Sequence, residues 1–171
     1  MVKMSIFTTL PDGSVQINYS TVFYVGDPCY CFSHKTQTWD GLCSSWFSLN
    51  GGPIAKTDDV EVVGFSTAHG DGNYLGQVDC TNYYFPVDAG LLGVVPQEFI
   101  EPDSTFAKDS SCGILIELSA GDIIQSINGD FFISGSRSIS IETNFSNAED
   151  DEDDEDDYRD YNYNDDDEED Y

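Results

Sequence analysis

The chain has 171 residues, with 33 Asp plus Glu against six Lys plus Arg and a formal net charge of −27 at pH 7. A surplus of that size repels phosphate backbones and excludes nucleic acid as an electrostatic partner of the whole molecule. No uncharged apolar run approaches the roughly 20 residues of a membrane-crossing helix, so no membrane association is expected, and Met1-Val-Lys-Met-Ser-Ile lacks the apolar stretch of an export signal, which points to a cytoplasmic location.

Along the chain, Pro11-Asp-Gly13 reads as a turn leading into a strand over Ser14–Tyr19, where apolar and polar residues alternate. Asn50-Gly-Gly-Pro53 is a second break, followed by a strand over Val60–Phe65 and a tight, exposed loop around His69-Gly-Asp71-Gly. Pro96-Gln-Glu-Phe-Ile100 suits one short helical turn with Pro96 at its first position. Gly113–Leu118 alternates again, as does Arg137–Glu142. Between them Asp122–Ile127 and Asp130–Ser134 flank Asn128-Gly129, the pair that supplies positive φ in a two-residue hairpin. With 15 glycines and little Ala, Leu, Lys or Arg, helix material is scarce. The expected fold is all-β, a single sandwich or partly open barrel of roughly six to eight strands.

Charge divides the chain. Residues 149–171 hold 16 acids and one base, Arg159, too dense a repulsion and too little apolar surface to fold, so this segment is expected to be a disordered acidic tail. Residues 1–148 are long enough for one globular domain with a core, and they too are acidic. The tail has a pattern: an acidic block that includes Glu149, Asp150, Asp151, Glu152, Asp153 and Asp154, a spacer bearing Tyr158, Tyr161 and Tyr163, and a second block opening with Asp165, Asp166 and Asp167. Aromatic rings add little to solubility and can stack where bases would, which favours recognition over simple solvation.

The candidate chemistry is sparse. Five cysteines (Cys29, Cys31, Cys43, Cys80 and Cys112) are an odd number, and reduced thiols are expected rather than a disulfide framework. Cys29-Tyr-Cys31 has the wrong spacing for a zinc pair, even with His34 and His69 available, so no metal or cofactor is expected. Cys29 or Cys80 with His69 would make a nucleophile and base only if the fold brings them together, and buried structural thiols are the favoured alternative. His69 and Asp71 are a candidate base and orienting carboxylate. Asp71, Asp79 and Asp88 would gather a hard cation only if their loops converge. The simpler reading of Gly70-Asp71-Gly72 is a turn whose Asp caps backbone N–H groups. Neither a phosphate-binding glycine loop nor a G-x-S-x-G elbow occurs.

Three segments, Tyr24-Val-Gly-Asp-Pro-Cys-Tyr30, His69-Gly-Asp-Gly-Asn-Tyr74 and Phe85-Pro-Val-Asp-Ala-Gly-Leu-Leu-Gly-Val-Val-Pro96, stand in an order and wording that resemble small β-rich domains of unknown function, many carried by tailed phages and some bacterial. The resemblance covers roughly residues 20 to 100. It implies a phage origin, and it implies that Asp27, Asp71 and Asp88 with their glycines belong to one architectural or ligand-binding feature, with His69 beside it. It implies no activity, and the acidic tail lies outside it.

The expectation from sequence is therefore a non-enzymatic interaction protein. It would be a phage-encoded inhibitor whose acidic surface and tail occupy a basic surface of a host nucleic-acid-binding or defence protein, in the manner of a DNA mimic. One alternative is inhibition of a host ATP-dependent protease through the tail. A second is a small hydrolase or ligand-binding domain using His69, Asp71, Asp88 and Cys29, and a third is a virion component whose tail prevents premature association.

Overall fold

A computed structural model of the chain describes residues 4–33, 35–57 and 59–144. Among them are twelve strands: β1 (Phe7–Thr9), β2 (Val15–Ile17), β3 (Thr21–Gly26), β4 (Ile54–Lys56), β5 (Glu61–Ser66), β6 (Gly72–Val78), β7 (Thr81–Val87), β8 (Leu91–Pro96), β9 (Gly113–Leu118), β10 (Ile123–Ile127), β11 (Asp130–Ser134) and β12 (Ile139–Ile141). The helices are α1 (Thr38–Trp46) and the single turn α2 (Thr105–Lys108), with 3₁₀ turns at Pro28–Cys31, Gln97–Phe99 and Ser110–Cys112.

The strands form two sheets, ordered β1-β2-β10-β11-β12-β6-β7 and β4-β5-β8-β3-β9, each with antiparallel pairing. The fold is all-β, a sandwich of two sheets. Alternation along each strand decides which side chains meet in the middle. Phe23 and Val25 of β3, Val63 of β5 and Leu92 and Val94 of β8 face inward onto Tyr74, Phe85, Phe131, Ile133 and Ile141 of the larger sheet. The intervening residues Tyr24, Val62, Leu91 and Val95 face the other way and join Phe32, Leu42, Trp46 and Phe106 in a second core outside the smaller sheet.

The smaller sheet is thus covered on both faces, which explains why β8, Leu-Leu-Gly-Val-Val-Pro, is buried throughout and shows no alternation. The larger sheet keeps one face toward solvent.

The expected strands at Val60–Phe65, Gly113–Leu118 and Arg137–Glu142 are present, and the Asn128-Gly129 hairpin has the positive φ values it needs, 54° and 91°. The expectation of roughly six to eight strands was too low in part because β1 and β4 have only three residues each, too short for a period to register, and β8, buried on both faces, has no alternation to read. The expected helical turn is a 3₁₀ turn at Gln97–Phe99, with Pro96 one residue outside it. Helix α1 was missed. It has no side-chain cap and contains a glycine, so propensity does not announce it. Tertiary packing holds it: Leu42 and Trp46 are buried, the Trp46 indole N–H donates to the Pro53 carbonyl at 3.0 Å, and the ring packs so closely on Gly64 of β5 that a Cβ there would meet it.

Candidate functional site

The first and third resembling segments meet through one side chain. Gly26 ends β3, and the next residue, Asp27, is fully buried. One of its carboxylate oxygens accepts from the Cys29 N–H at 2.9 Å and so caps the 3₁₀ turn Pro28–Cys31. The other accepts from the N–H groups of Asp88 and Ala89, at 2.8 and 2.7 Å, in the turn between β7 and β8. Burial pushes the Asp27 carboxyl above the ordinary carboxylate value, against the pull of the three N–H groups.

Tyr24 underlies this node. Its hydroxyl lies 2.8 Å from the Asp27 carbonyl and 2.9 Å from the Cys112 carbonyl, so its single proton is shared between the end of β3 and the start of β9. Gly26 and Gly113 flank the Tyr24 ring so closely that a Cβ on either would overlap it. These are the demands of close packing between strand ends.

The second segment lies beside the node. Thr67 donates its N–H to the Gly90 carbonyl at 2.9 Å, and the hydroxyls of Thr67 and Tyr74 both donate to the Gly70 carbonyl, at 2.6 and 2.8 Å. A Cβ built on Gly90 would sit 3.9 Å from an Asp71 carboxylate oxygen. Asp27, Asp71 and Asp88 therefore belong to one end of the sandwich, but they do different things. Asp27 is buried and committed to backbone, whereas Asp71 and Asp88 are exposed. Among the described residues Asp71 caps no backbone N–H group and no hydrogen bond joins it to His69; the loop is tied down instead by the Thr67 and Tyr74 hydroxyls donating to the Gly70 carbonyl. His69 is exposed on the loop.

Asp79 lies elsewhere. It sits in the β6–β7 turn, across the seven residues of β6 from Asp71, a separation of roughly 25 Å along an extended strand. It accepts from Arg137 Nε at 2.6 Å and from the Ser138 N–H at 2.9 Å, and the Ser138 bond, helped by the guanidinium, holds it below the usual carboxylate range. Asp71, Asp79 and Asp88 thus do not gather a cation, and among the described residues no group of three His, Cys, Asp or Glu side chains is placed to hold a metal ion.

The thiols are equally separated from a base. Cys80 shares the β6–β7 turn with Asp79, so the same strand keeps it from His69. Cys31 and Cys112 are buried and Cys29 half-buried. Burial pushes Cys29 and Cys31 far up, with the Asp27 charge adding to it, and pushes Cys112 up to about 11. An activated nucleophile needs the opposite shift. The phenol of Tyr30 is likewise raised, by burial and then by the Asp88 carboxylate it faces. His34 lies outside the described residues.

The acidic segment 149–171, with its named carboxylates and tyrosines, also lies outside the described residues. Its root does not. Past β12, the N–H groups of Thr143 and Asn144 both donate to one Asp130 oxygen, at 2.7 and 2.8 Å, and the Thr143 hydroxyl donates to the Gly129 carbonyl at 2.6 Å while accepting from the Ala68 N–H at 2.9 Å. Residue 144 is thereby fixed next to the His69 loop, at the end of the sandwich where Asp71, Asp88 and Glu142 are exposed. None of those three carboxylates has a cationic partner among the described residues. The ion pairs among the described residues are Lys56–Glu61, at 4.0 Å, and Arg137–Asp79.

One surface escaped the sequence reading. Strands β6 and β7, Gly-Asn-Tyr-Leu-Gly-Gln-Val and Thr-Asn-Tyr-Tyr-Phe-Pro-Val, contain no charged residue, in a chain where 23% of residues are charged. Leu75, Tyr83 and Tyr84 of this hairpin are exposed. The signal was the absence of charge, which motif reading does not register.

No protein-family model, curated protein or solved structure matches the chain.

Proposed function

We propose that the chain is a non-enzymatic acidic binding protein, a phage-encoded inhibitor that occupies a basic surface on a host nucleic-acid-binding or defence protein by presenting carboxylates where a phosphate backbone would lie. The observation that carries this reading is the set of exposed carboxylates at the end of the sandwich where the described chain stops, before the acidic segment. Asp130 holds Thr143 and Asn144, the last described residues before the acidic segment, beside Asp71, Asp88 and Glu142, carboxylates without cationic partners among the described residues. A further net −15 follows in residues 149–171.

Carboxylates left unpaired at the surface do little for stability, but they set the field that steers a basic partner. Two charged sources rooted at one point also act together, since binding of one raises the effective concentration of the other. The raised thiols and the separation of His69 from Cys80 weigh against the hydrolase alternative.

The test is affinity capture from host lysate with the full chain and with a chain ending at Asn147, washed at low and high salt and read by mass spectrometry. The proposal expects a dominant partner that the full chain retains, high salt releases and the shortened chain does not hold. The class of that partner separates nucleic-acid mimicry from protease inhibition. Equal recovery by both chains would overturn the role given to the acidic segment and return attention to the His69–Asp71 loop.

A further inference from the structure

The sandwich is open along one side. β7 is the last strand of the larger sheet and β9 the last of the smaller one, and the two free edges border a single cleft of about 360 Å³. Val78 and Tyr83 line it from one sheet, Ile114, Leu115 and Ile116 from the other, and Phe106 closes one end. A free edge presents unpaired backbone N–H and C=O groups, and proteins usually protect it with charge, proline or a bulge. Here β9 carries only Glu117 and β7 only Pro86, near its end. Leu115 and Tyr83 stay 45% and 42% exposed at the cleft mouth. The cleft therefore offers backbone partners and an apolar floor together, the two requirements for adding an extended segment as a strand.

Charge selects the occupant. Arg137, on the lining, is already paired with Asp79, while Glu117 and Asp109 stand exposed nearby without a cationic partner among the described residues, and Lys108 offsets part of their charge. The net −27 of the chain adds a field that repels acidic segments, including a second copy, and draws in basic ones. We infer that the β7–β9 cleft is a docking site for an extended basic segment of the partner, alternating Lys or Arg with apolar residues, that pairs with a free strand edge and sets its apolar side chains on Ile114, Ile116 and Tyr83. This inference rests on the charge-driven binding proposed above and gives the globular domain its own part in it.

The probe is a synthetic octapeptide, Lys-Val-Lys-Tyr-Lys-Val-Lys-Val with blocked ends, and a matched peptide whose alternate backbone nitrogens are methylated. Both are titrated into the full chain and followed by amide chemical shifts and fluorescence anisotropy. The cleft assignment expects saturable shifts within residues 113–118 and 81–84, loss of binding with the methylated peptide, and persistence of the same shifts in the chain ending at Asn147. Tyr83→Ser combined with Leu115→Ser, both at exposed positions, is expected to weaken binding roughly tenfold through lost apolar contact, while Leu75→Ser on the opposite face of the hairpin leaves it unchanged. Shifts confined to residues 149–171, lost on truncation and equal for both peptides, would overturn the cleft and leave the charge reading standing. No binding to either chain at low salt would overturn both.

Discussion

Replacing Asp27 by Ala removes the acceptor from three N–H groups at once, those of Cys29, Asp88 and Ala89, which it holds at 2.9, 2.8 and 2.7 Å. A buried donor left without a partner costs about 1–3 kcal/mol. Asp88 is exposed and Cys29 and Ala89 are half-buried, so water reaches part of the vacated site and the lower half of that range applies, giving a total of about 3–6 kcal/mol. For a chain of this size that corresponds to a fall in Tm of roughly 10 °C, to be read by circular dichroism in heat and urea. Asp27→Asn keeps one acceptor oxygen, so it must abandon either the Cys29 turn or the Asp88–Ala89 turn, and an intermediate loss is expected. Asp71→Ala and His69→Ala, on the exposed loop, should fall within about 0.5 kcal/mol of the parent. A loss below about 1 kcal/mol for Asp27→Ala would refute the idea that this carboxylate ties β3 to the β7–β8 turn. Equal losses at Asp71 would refute the separation of roles among the three aspartates.

Asp27 and Asp122 should pull the pH dependence of stability in opposite directions. Burial raises Asp27, so its contribution is present below the unfolded carboxylate value and lost as pH rises through the folded one. At Asp122 burial also pushes upward, but the Ser136 hydroxyl and the Ser136 and Ser119 N–H groups outweigh it, so that contribution is present above the unfolded value and lost as pH falls through the folded one. Urea midpoints across pH 2–7 for Asp27→Asn and Asp122→Asn should therefore diverge from the parent at opposite ends, and parallel curves would contradict both assignments. Gly64→Ala places a Cβ 2.9 Å from the Trp46 ring and should cost about 1–3 kcal/mol through displacement of α1, with a matching change in Trp fluorescence; an unchanged spectrum and midpoint would show that α1 does not rest there. A water-soluble disulfide reagent should label exposed Cys80 in the native protein and reach Cys31 and Cys112 only on unfolding. Rapid labelling of Cys31 would mean that the second core opens readily.

Strands were legible where one face is wet and the strand is long enough, as in Gly113–Leu118, or where the turn announces itself, as at Asn128-Gly129. The β6–β7 turn has the same positive-φ geometry, at Asp79 and Cys80 with φ of 47° and 70°, but neither is glycine, so no sequence signal marks it. Helix α1 was invisible because its stability comes from Trp46 against Gly64, a contact between positions 18 apart that local propensity does not contain. At the site, Asp27, Asp71 and Asp88 stand out in sequence as equivalent carboxylates in glycine-rich settings. Their division into one buried cap and two exposed charges depends on which backbone N–H groups the fold turns toward Asp27. The clamp of Thr143 and Asn144 by Asp130 was hidden for the same reason: it links a side chain to backbone across a hairpin.

The most direct test of charge-driven binding is the salt dependence of affinity for the captured partner, measured by titration calorimetry between about 50 and 300 mM salt with the full chain and the chain ending at Asn147, a range over which screening of exposed charges changes substantially. Binding carried by the acidic segment and the carboxylates at its root predicts a steep fall in affinity with salt for the full chain and a clearly shallower one after truncation. Equal slopes for the two chains, or affinity that does not respond to salt, would contradict it.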